Sequence, residues 1–278
     1  MAKLTVSIVL YNNQKRQIER VIKSVLSSNI KSKLILIDNS STDNLRSFLR
    51  LKGLEYIFNN KNMGFGRAHN IAMRKSIEER ASYHLVLNPD VYFEQGVLEE
   101  LYNFMEKNQG VGLVMPKVLF PDGNIQYLCR LLPTPFDLFG RRFLNFSLFE
   151  RIINRRNEIY ELRFTGYDNI MIVPNLSGCF MFLRTSVLQK VGLFDERFFM
   201  YMEDTDLSRR VYRVAETIYY PYVSIYHEYG RGSYKDKRLL KYHIKSAIKY
   251  FNKWGWFLDK ERERINKEVL EKLGYKGR

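Results

Sequence analysis

The sequence predicts an α/β fold with a mostly parallel central sheet flanked by helices, and three observations carry that reading. Short β-branched runs recur through the first 110 residues. Helix-period segments of about 10–15 residues separate them, which indicates parallel neighbours, right-handed crossovers and helices on both faces. The runs end in polar residues, with Asp38 and Asp90 at two of those ends.

Taken in order, LTVSIVLYN (4–12) is a buried strand. RQIERVIKSVLSS (16–28) places Ile18, Val21, Ile22 and Val25 at helical spacing. KLILIDNSSTD (33–43) is a second strand ending in an acid and a polar turn, and Asp43 suits the N-cap of a short helix over 44–51. LEYIFNN (54–60) is a third strand, GRAHNIAMRKSIEER (66–80) a helix, SYHLVLNPDVYF (82–93) a fourth strand and VLEELYNFMEKN (97–108) another helix. Beyond 110 the pattern loosens. Residues 110–127 read as a strand and a hairpin turning at PDGN, residues 130–172 as irregular, and 177–192 as a strand entering a helix. ETIYYPYVSIYHEYG (216–230) is a strand ending near His227, and the tail from Leu239 is helical. The expected organisation is a nucleotide-binding half (1–110), an acceptor-binding half of the same domain (111–235) and a basic amphipathic tail (236–278).

The chain has 278 residues with 45% apolar content, enough for a substantial core. Its first apolar run is too short for a signal peptide, and no run approaches the ~18 apolar residues of a membrane span. Cys129 and Cys179 have no metal spacing, so a reduced, cytoplasmic setting is expected. The formal charge is +15, and residues 231–278 hold 15 Lys/Arg against 6 Asp/Glu, a net of +9. A localised basic segment suggests an anionic partner: nucleic acid, a membrane surface or a phosphorylated substrate.

Neither a dinucleotide fingerprint nor a P-loop follows the first strand, where YNNQKRQ stands instead. That argues against dinucleotide oxidoreductases, P-loop enzymes and nucleotidyltransferases. Ligands of open α/β sheets bind beyond the carboxyl ends of the strands, which here are Tyr11-Asn12, Asp38-Asn39, Asn59-Asn60 and Asn88-Pro89-Asp90. Asp38 reads either as a turn acid or as an acceptor for a pyrimidine N–H. Asp90 reads either as a turn acid or as a ligand for a hard divalent cation. In NMGFGRAHN (62–70), Gly64 and Gly66 permit positive φ or close backbone approach. Arg67 and the following helix start could face phosphate, whereas His69 reads as structural.

YMEDTDLSRR (201–210) sets Glu203, Asp204 and Asp206 after the apolar FFMYM. As a helix start, acids favour the positive end of the dipole and Asp206 can pair with Arg209 or Arg210. Glu203 and Asp204 fit that account less well, because a carboxylate against an apolar wall has a raised pKa and can serve as a base.

The ordered series VSIVLYN, LILIDNSSTD, NMGFGRAHNIAM, LNPDV, GLFDERFFMYMEDTDLSRR and HEYGRGS resembles glycosyltransferase family 2, with its GT-A fold, over about residues 4–250. The block from Ser177 to Leu207 and the later HEYGRGS most resemble its bacterial rhamnosyltransferase-like members. The resemblance implies inverting transfer of a sugar from a nucleoside diphosphate to an acceptor hydroxyl. It makes Asp204 the general base, with Glu203 orienting the acceptor or setting the base's environment. Tyr11, Asn12 and Asp38 would hold the nucleotide, with Gly64, Arg67 and Asn88 also on the donor side. Asp90 and His227 would hold Mg²⁺ or Mn²⁺, and Arg231 and Ser233 the leaving phosphate. Asn88 departs from the family's Asp-x-Asp element at its first acid. The implied donor is dTDP-rhamnose, with a UDP-sugar as the alternative. The implied acceptor is a lipid-linked bacterial surface glycan.

Lys241, Lys245, Lys249 and Lys253 recur every fourth residue, opposite Ile244, Ala247, Ile248, Phe251, Trp254 and Leu258. The apolar face is expected to pack on the domain, and the lysines to meet anionic lipid or a lipid diphosphate at the inner face of the cell membrane. A basic membrane- or nucleic-acid-binding protein without catalysis is the rival reading. It leaves the acidic cluster and the polar strand ends unexplained, so no nucleic-acid partner is expected.

Overall fold

The structure is a computed structural model and describes residues 3–50, 54–140, 150–228 and 236–275. Its strands are β1 (Leu4–Leu10), β2 (Ser32–Asp38), β3 (Glu55–Phe58), β4 (Tyr83–Leu87), β5 (Val91–Tyr92), β6 (Val111–Leu119), β7 (Met171–Ile172), β8 (Phe180–Arg184) and β9 (Glu216–His227). They join one sheet in the order β3-β2-β1-β4-β8-β6-β9-β5, with β7 paired to β9. β1–β4 are mutually parallel, and β8 runs antiparallel to both β4 and β6. β6 and β9, parallel to each other, therefore point the same way as β1–β4. The mostly parallel expectation holds, with β8 as a reversed strand through its middle.

The helices are α1 (Lys15–Leu26), α2 (Arg46–Arg50), α3 (Phe65–Glu78), α4 (Val97–Lys107), α5 (Glu150–Tyr160), α6 (Thr185–Val191), α7 (Glu203–Tyr212), α8 (Lys237–Trp254) and α9 (Lys260–Lys272). Alternation along β2 shows both faces covered. Leu34 and Leu36 enter the main core with Ile18, Val21, Ile22 and Val25 of α1. Ile35 and Ile37 pack on Ala68 and Ala72 of α3.

Three expectations need correction. The run 82–93 is two strands, because Asn88-Pro89-Asp90 breaks the ladder between β4 and β5. The segment 130–172 is not irregular throughout, since α5 lies within it. The tail is two helices: Gly255, at φ 103°, ends α8, and Asp259 caps α9 by accepting from Arg262 N.

The tail is built onto the domain. Ala247, Tyr250 and Phe251 of α8 bury against Phe198 and Met202. Arg209 of α7, 1% exposed, forms a fork with Asp259 at 2.7 and 2.8 Å and also reaches Glu261 at 2.7 Å. Asp206 accepts from Arg210 at 2.9 Å, Lys253 at 2.6 Å and Trp254 at 2.8 Å. The helix-building role expected for Asp206 is present. The expected lysine row is not wholly free: Lys253 turns inward to Asp206 and Asp195, and Lys249 donates to the Arg197 carbonyl at 2.6 Å.

Candidate active site

A cleft of about 450 Å³ opens beyond the carboxyl ends of β1 and β4. Tyr11, Asn39, Gly64, Asn88, Asp90, Glu203, Asp204 and His227 are among the residues lining it. Residues distant in sequence meet there because of the sheet pairings. Antiparallel β5–β9 pairing sets Val91 opposite His227, and Glu228 N donates to Asp90 O at 3.0 Å. His227 Nε2 thereby lies 3.4 Å from Asp90 Oδ1. Its Nδ1 is 3.0 Å from Gln126 Oε1, an amide acceptor, which orients the ring so that Nε2 faces Asp90.

Asp90 Oδ1 is buried without a hydrogen bond. A buried, unsatisfied carboxylate oxygen beside an imidazole nitrogen fits a divalent cation whose remaining ligands are phosphate and water oxygens. Among the described residues no group of three or more His, Cys, Asp or Glu side chains forms a complete cage. Among the described residues, Asp90 and His227 are the side chains that would hold it, with Asn88 beside them in the lining.

The opposite wall is the start of α7. Tyr201 and Met202 adopt left-handed φ of 70° and 69°, a costly pair for non-glycine residues. Met202 and Phe198 are held by the buried α8 residues, which stabilise this turn. It delivers Glu203 and Asp204 to the cleft. Asp204 Oδ2 accepts from Gly178 N at 2.9 Å, and Oδ1 from Thr205 N at 2.8 Å. The link to the other wall is short: Asn88 N donates to Cys179 O at 2.9 Å, one residue from Gly178.

Glu203 is 4% exposed, and its Oε2 has no partner. Burial, and secondarily the Asp204 carboxylate, push its pKa up to about 8. The apolar wall expected around this acidic pair thus acts on Glu203, which is held as a neutral acid near pH 7.

Gly64 needs its missing side chain. Its φ is 86°, and a Cβ would overlap the Phe199 carbonyl oxygen, which accepts from Phe65 N. The close approach is made by the chain leading into α7, so α3 and α7 are pinned together beside the cleft.

Several predicted donor-side residues lie elsewhere. Asp38 is fully buried; its oxygens accept from Ser40 N at 2.8 Å and Tyr56 OH at 2.7 Å, and it does not line the cleft. Asn12 is exposed with φ 53° and donates its N–H to Ser40 Oγ at 3.0 Å. Arg67 faces Glu196, 3.3 Å away, outside the lining. His69 is structural, as expected: buried Ser7 Oγ lies 2.7 Å from His69 Nδ1 and 2.9 Å from His84 Nε2. Arg231 and Ser233 lie outside the described residues.

The model of the family described as Glycosyl transferase family 2 matches residues 5–192. The chain belongs to glycosyltransferase family 2. This family 2 chain is 26% identical over 237 residues to the N-acetylglucosaminyl-diphospho-decaprenol L-rhamnosyltransferase of Mycobacterium tuberculosis, covering 79% of this chain and 74% of that one. It is 23% identical over 271 residues to rhamnosyltransferase WbbL of Escherichia coli K12, covering 93% and 97%. It is 26% identical over 209 residues to the low-salt glycan biosynthesis hexosyltransferase Agl10 of Haloferax volcanii, covering 74% of this chain and 61% of that relative. Among solved structures, GalNAc-T7 with UDP, GalNAc and Mn²⁺ superposes with a TM-score of 0.61 at 14% identity, over 82% of this chain and 43% of that one. Staphylococcus aureus TarS 1-349 in complex with UDP gives 0.57 at 15%, over 96% and 70%. These likenesses establish the GT-A fold that the motifs implied.

The family 2 motifs did not point to every lining residue. Asn39, Asn62, Arg130, Gly178, Tyr201 and His243 also line the cleft. Gly178 had a signal in the SGCF turn, and Asn39 in its place at a strand end. Arg130 and His243 carry no local signal, because only the tertiary packing brings them there.

Proposed function

We propose that the chain catalyses inverting transfer of a sugar from a nucleoside diphosphate donor to an acceptor hydroxyl in this cleft. The observation that carries the proposal is the placement of Asp204 on one wall and the Asp90–His227 pair on the other. The acceptor oxygen gives its proton to Asp204 as it attacks the anomeric carbon from the face opposite the diphosphate. Gly178 N and Thr205 N orient that carboxylate. Glu203, neutral and buried beside it, supplies an O–H to position the acceptor and adds no second negative charge near neutral pH. A divalent cation, Mg²⁺ or Mn²⁺, held by Asp90 and His227 would offset negative charge growing on the departing diphosphate.

On the donor side we assign Tyr11, Gly64 and Asn88, which line the cleft, with Arg231 and Ser233 toward the leaving phosphate. Asp38 and Arg67 act on the nucleotide only after side-chain rearrangement, because their present partners lie within the protein, whereas only the backbone N–H of exposed Asn12 is engaged. Residues 1–110 then hold the nucleotide sugar, and 111–235 supply the acceptor side and the catalytic groups, with His227, Arg231 and Ser233 reaching back to the diphosphate.

The similarity to two rhamnosyltransferases supports rhamnose as the transferred sugar, and the diphospho-decaprenol in the name of one supports a lipid-linked glycan as acceptor; we take dTDP-rhamnose as the donor and the inner face of the cell membrane as the setting. The UDP present in both structural relatives supports a UDP-sugar as the alternative. A thermal-shift panel of nucleotide sugars with Mg²⁺ or Mn²⁺, followed by transfer assays with the stabilising donor, tests this reading. Stabilisation by dTDP-rhamnose alone favours the first donor and by UDP-sugars the second. No metal-dependent stabilisation by any nucleotide sugar contradicts both.

A further inference from the structure

We infer that the turn joining α8 to α9 is a membrane-docking tip, with Phe257 and Leu258 entering the interfacial layer of an anionic bilayer. Phe257 is 76% exposed and Leu258 93% exposed, the two most exposed large apolar residues described. They do not protrude from a loose strand of chain. Gly255 ends α8 at φ 103°, where a Cβ would press on the Leu258 carbonyl oxygen at 3.0 Å. Arg262, 3% exposed, sends its guanidinium to the carbonyls of Gly255, Trp256 and Phe257 at 3.2–3.4 Å. Asp259 caps α9 and holds Arg209. Trp256 donates to Asn252 Oδ1 at 2.8 Å, and its ring stacks on Phe139. The turn is therefore preformed, and its two apolar side chains point away from the protein.

The charge along the helix that leads to the tip selects the partner. α8 contains six Lys/Arg and no Asp or Glu. Its apolar face packs on the domain through Ala247, Tyr250 and Phe251, but of the face expected to pack, Ile248 is exposed and Leu258 lies beyond the helix in the exposed turn. Lys237, Lys241 and Lys245 remain exposed along the outer face, and Lys260 is exposed just beyond the tip. An apolar tip at one end of a helix whose outer face carries exposed cations, Lys245 about 14 Å and Lys241 about 20 Å back from Trp254, with Lys260 at the tip itself, suits α8 lying along a bilayer bearing anionic headgroups, where the apolar side chains insert and the ammonium groups meet phosphate. This replaces the four-lysine row with a smaller contact made of a tip and three or four cations. His243 lines the cleft and Trp254 ends the helix, so the tip lies about 17 Å along α8 from the cleft. Docking would hold the cleft at a fixed height over a lipid surface, but it is read by lipid binding alone and stands or falls separately from the transfer reaction.

The test is co-sedimentation of the full chain with phosphatidylcholine vesicles, with and without phosphatidylglycerol. Binding to the anionic vesicles is expected, with a loss of about tenfold or more in the double variant Phe257→Ser/Leu258→Ser and a similar loss in Lys241→Glu/Lys245→Glu. Both pairs are exposed, so unchanged thermal unfolding and unchanged transfer to a water-soluble acceptor are expected of the variants. The chain's two tryptophans, Trp254 at the end of α8 and Trp256 in the turn, both lie close before Phe257 in the chain. Brominated lipid in anionic vesicles should therefore quench the wild-type emission. Equal binding to neutral and anionic vesicles, wild-type binding by the Phe257/Leu258 variant, or absence of quenching would overturn the inference. So would sedimentation velocity showing that the tip joins two copies of the chain while vesicle binding is unaffected.

Discussion

His227 Nε2 lies 3.4 Å from Asp90 Oδ1, and Gln126 Oε1 lies 3.0 Å from the other ring nitrogen. The amide orients the imidazole, as partners of metal-binding histidines do. Asp90→Ala is expected to weaken Mn²⁺-dependent binding of a nucleoside diphosphate by more than about tenfold, and Gln126→Leu by about tenfold. Calorimetry with and without Mn²⁺ checks both. A loss that is equal in the absence of metal would assign these residues to the nucleotide alone.

Glu203 links the site to stability. Its folded pKa of about 8 lies above the ordinary value of 4.5. The folded state therefore binds the proton more tightly, and the contribution is full below pH 4.5 and lost as pH rises through 8. Glu203→Gln should raise stability at pH 7 by about 2 kcal/mol and flatten the decline between pH 4.5 and 8, measured by urea unfolding. If Glu203 also positions the acceptor, the same variant raises the acceptor KM more than it lowers kcat.

The buried Ser7–His69–His84 cluster acts in the opposite sense. Burial lowers both imidazole pKa values, that of His84 to about 3, with the neighbouring ring adding to the effect on His69. The unfolded chain takes up protons first as pH falls below about 6.5, so stability falls with it toward pH 3. In the Glu203→Gln background this histidine slope should stand alone between pH 6.5 and 4.5. Ser7→Ala leaves both rings without their shared hydroxyl and should cost about 1–3 kcal/mol by chemical denaturation at pH 7.

Arg209 is the central tie between α7 and the tail. Replacing it with Ala takes the guanidinium fork from buried Asp259, leaving it only Arg262, and removes one of the two arginines on Glu261, and should cost about 3 kcal/mol. Hydrogen exchange should show the loss concentrated in α8 and α9. A uniform loss across the sheet would mean that the tail is not a separate cooperative unit.

Much of this architecture was readable because it is local. β-branched runs and 3.6-residue spacing placed β1 to β4 and the helices between them, and Asp206 sits one helical turn from Arg210. Contacts made by distant pairing were not readable from local pattern; the meeting of Asp90 with His227 was expected only through the family resemblance. His227 reaches Asp90 only through the β5–β9 ladder, and Gln126 reaches His227 only through the hairpin after β6. The inward turn of Lys253 depends on Asp195 and Asp206, which no helical periodicity reveals. Asp38 looked available as the acid of a polar strand end, yet Tyr56 occupies its second oxygen. The left-handed pair Tyr201-Met202 carries no glycine to announce it; packing against α8 imposes it.

The central claim is that Asp204 removes the acceptor proton. Single-turnover transfer by Asp204→Asn, run beside calorimetric donor binding, tests it most directly. The geometry predicts a fall in the transfer rate of at least about a hundredfold with donor affinity nearly unchanged. Near-normal turnover in the variant would contradict the assignment.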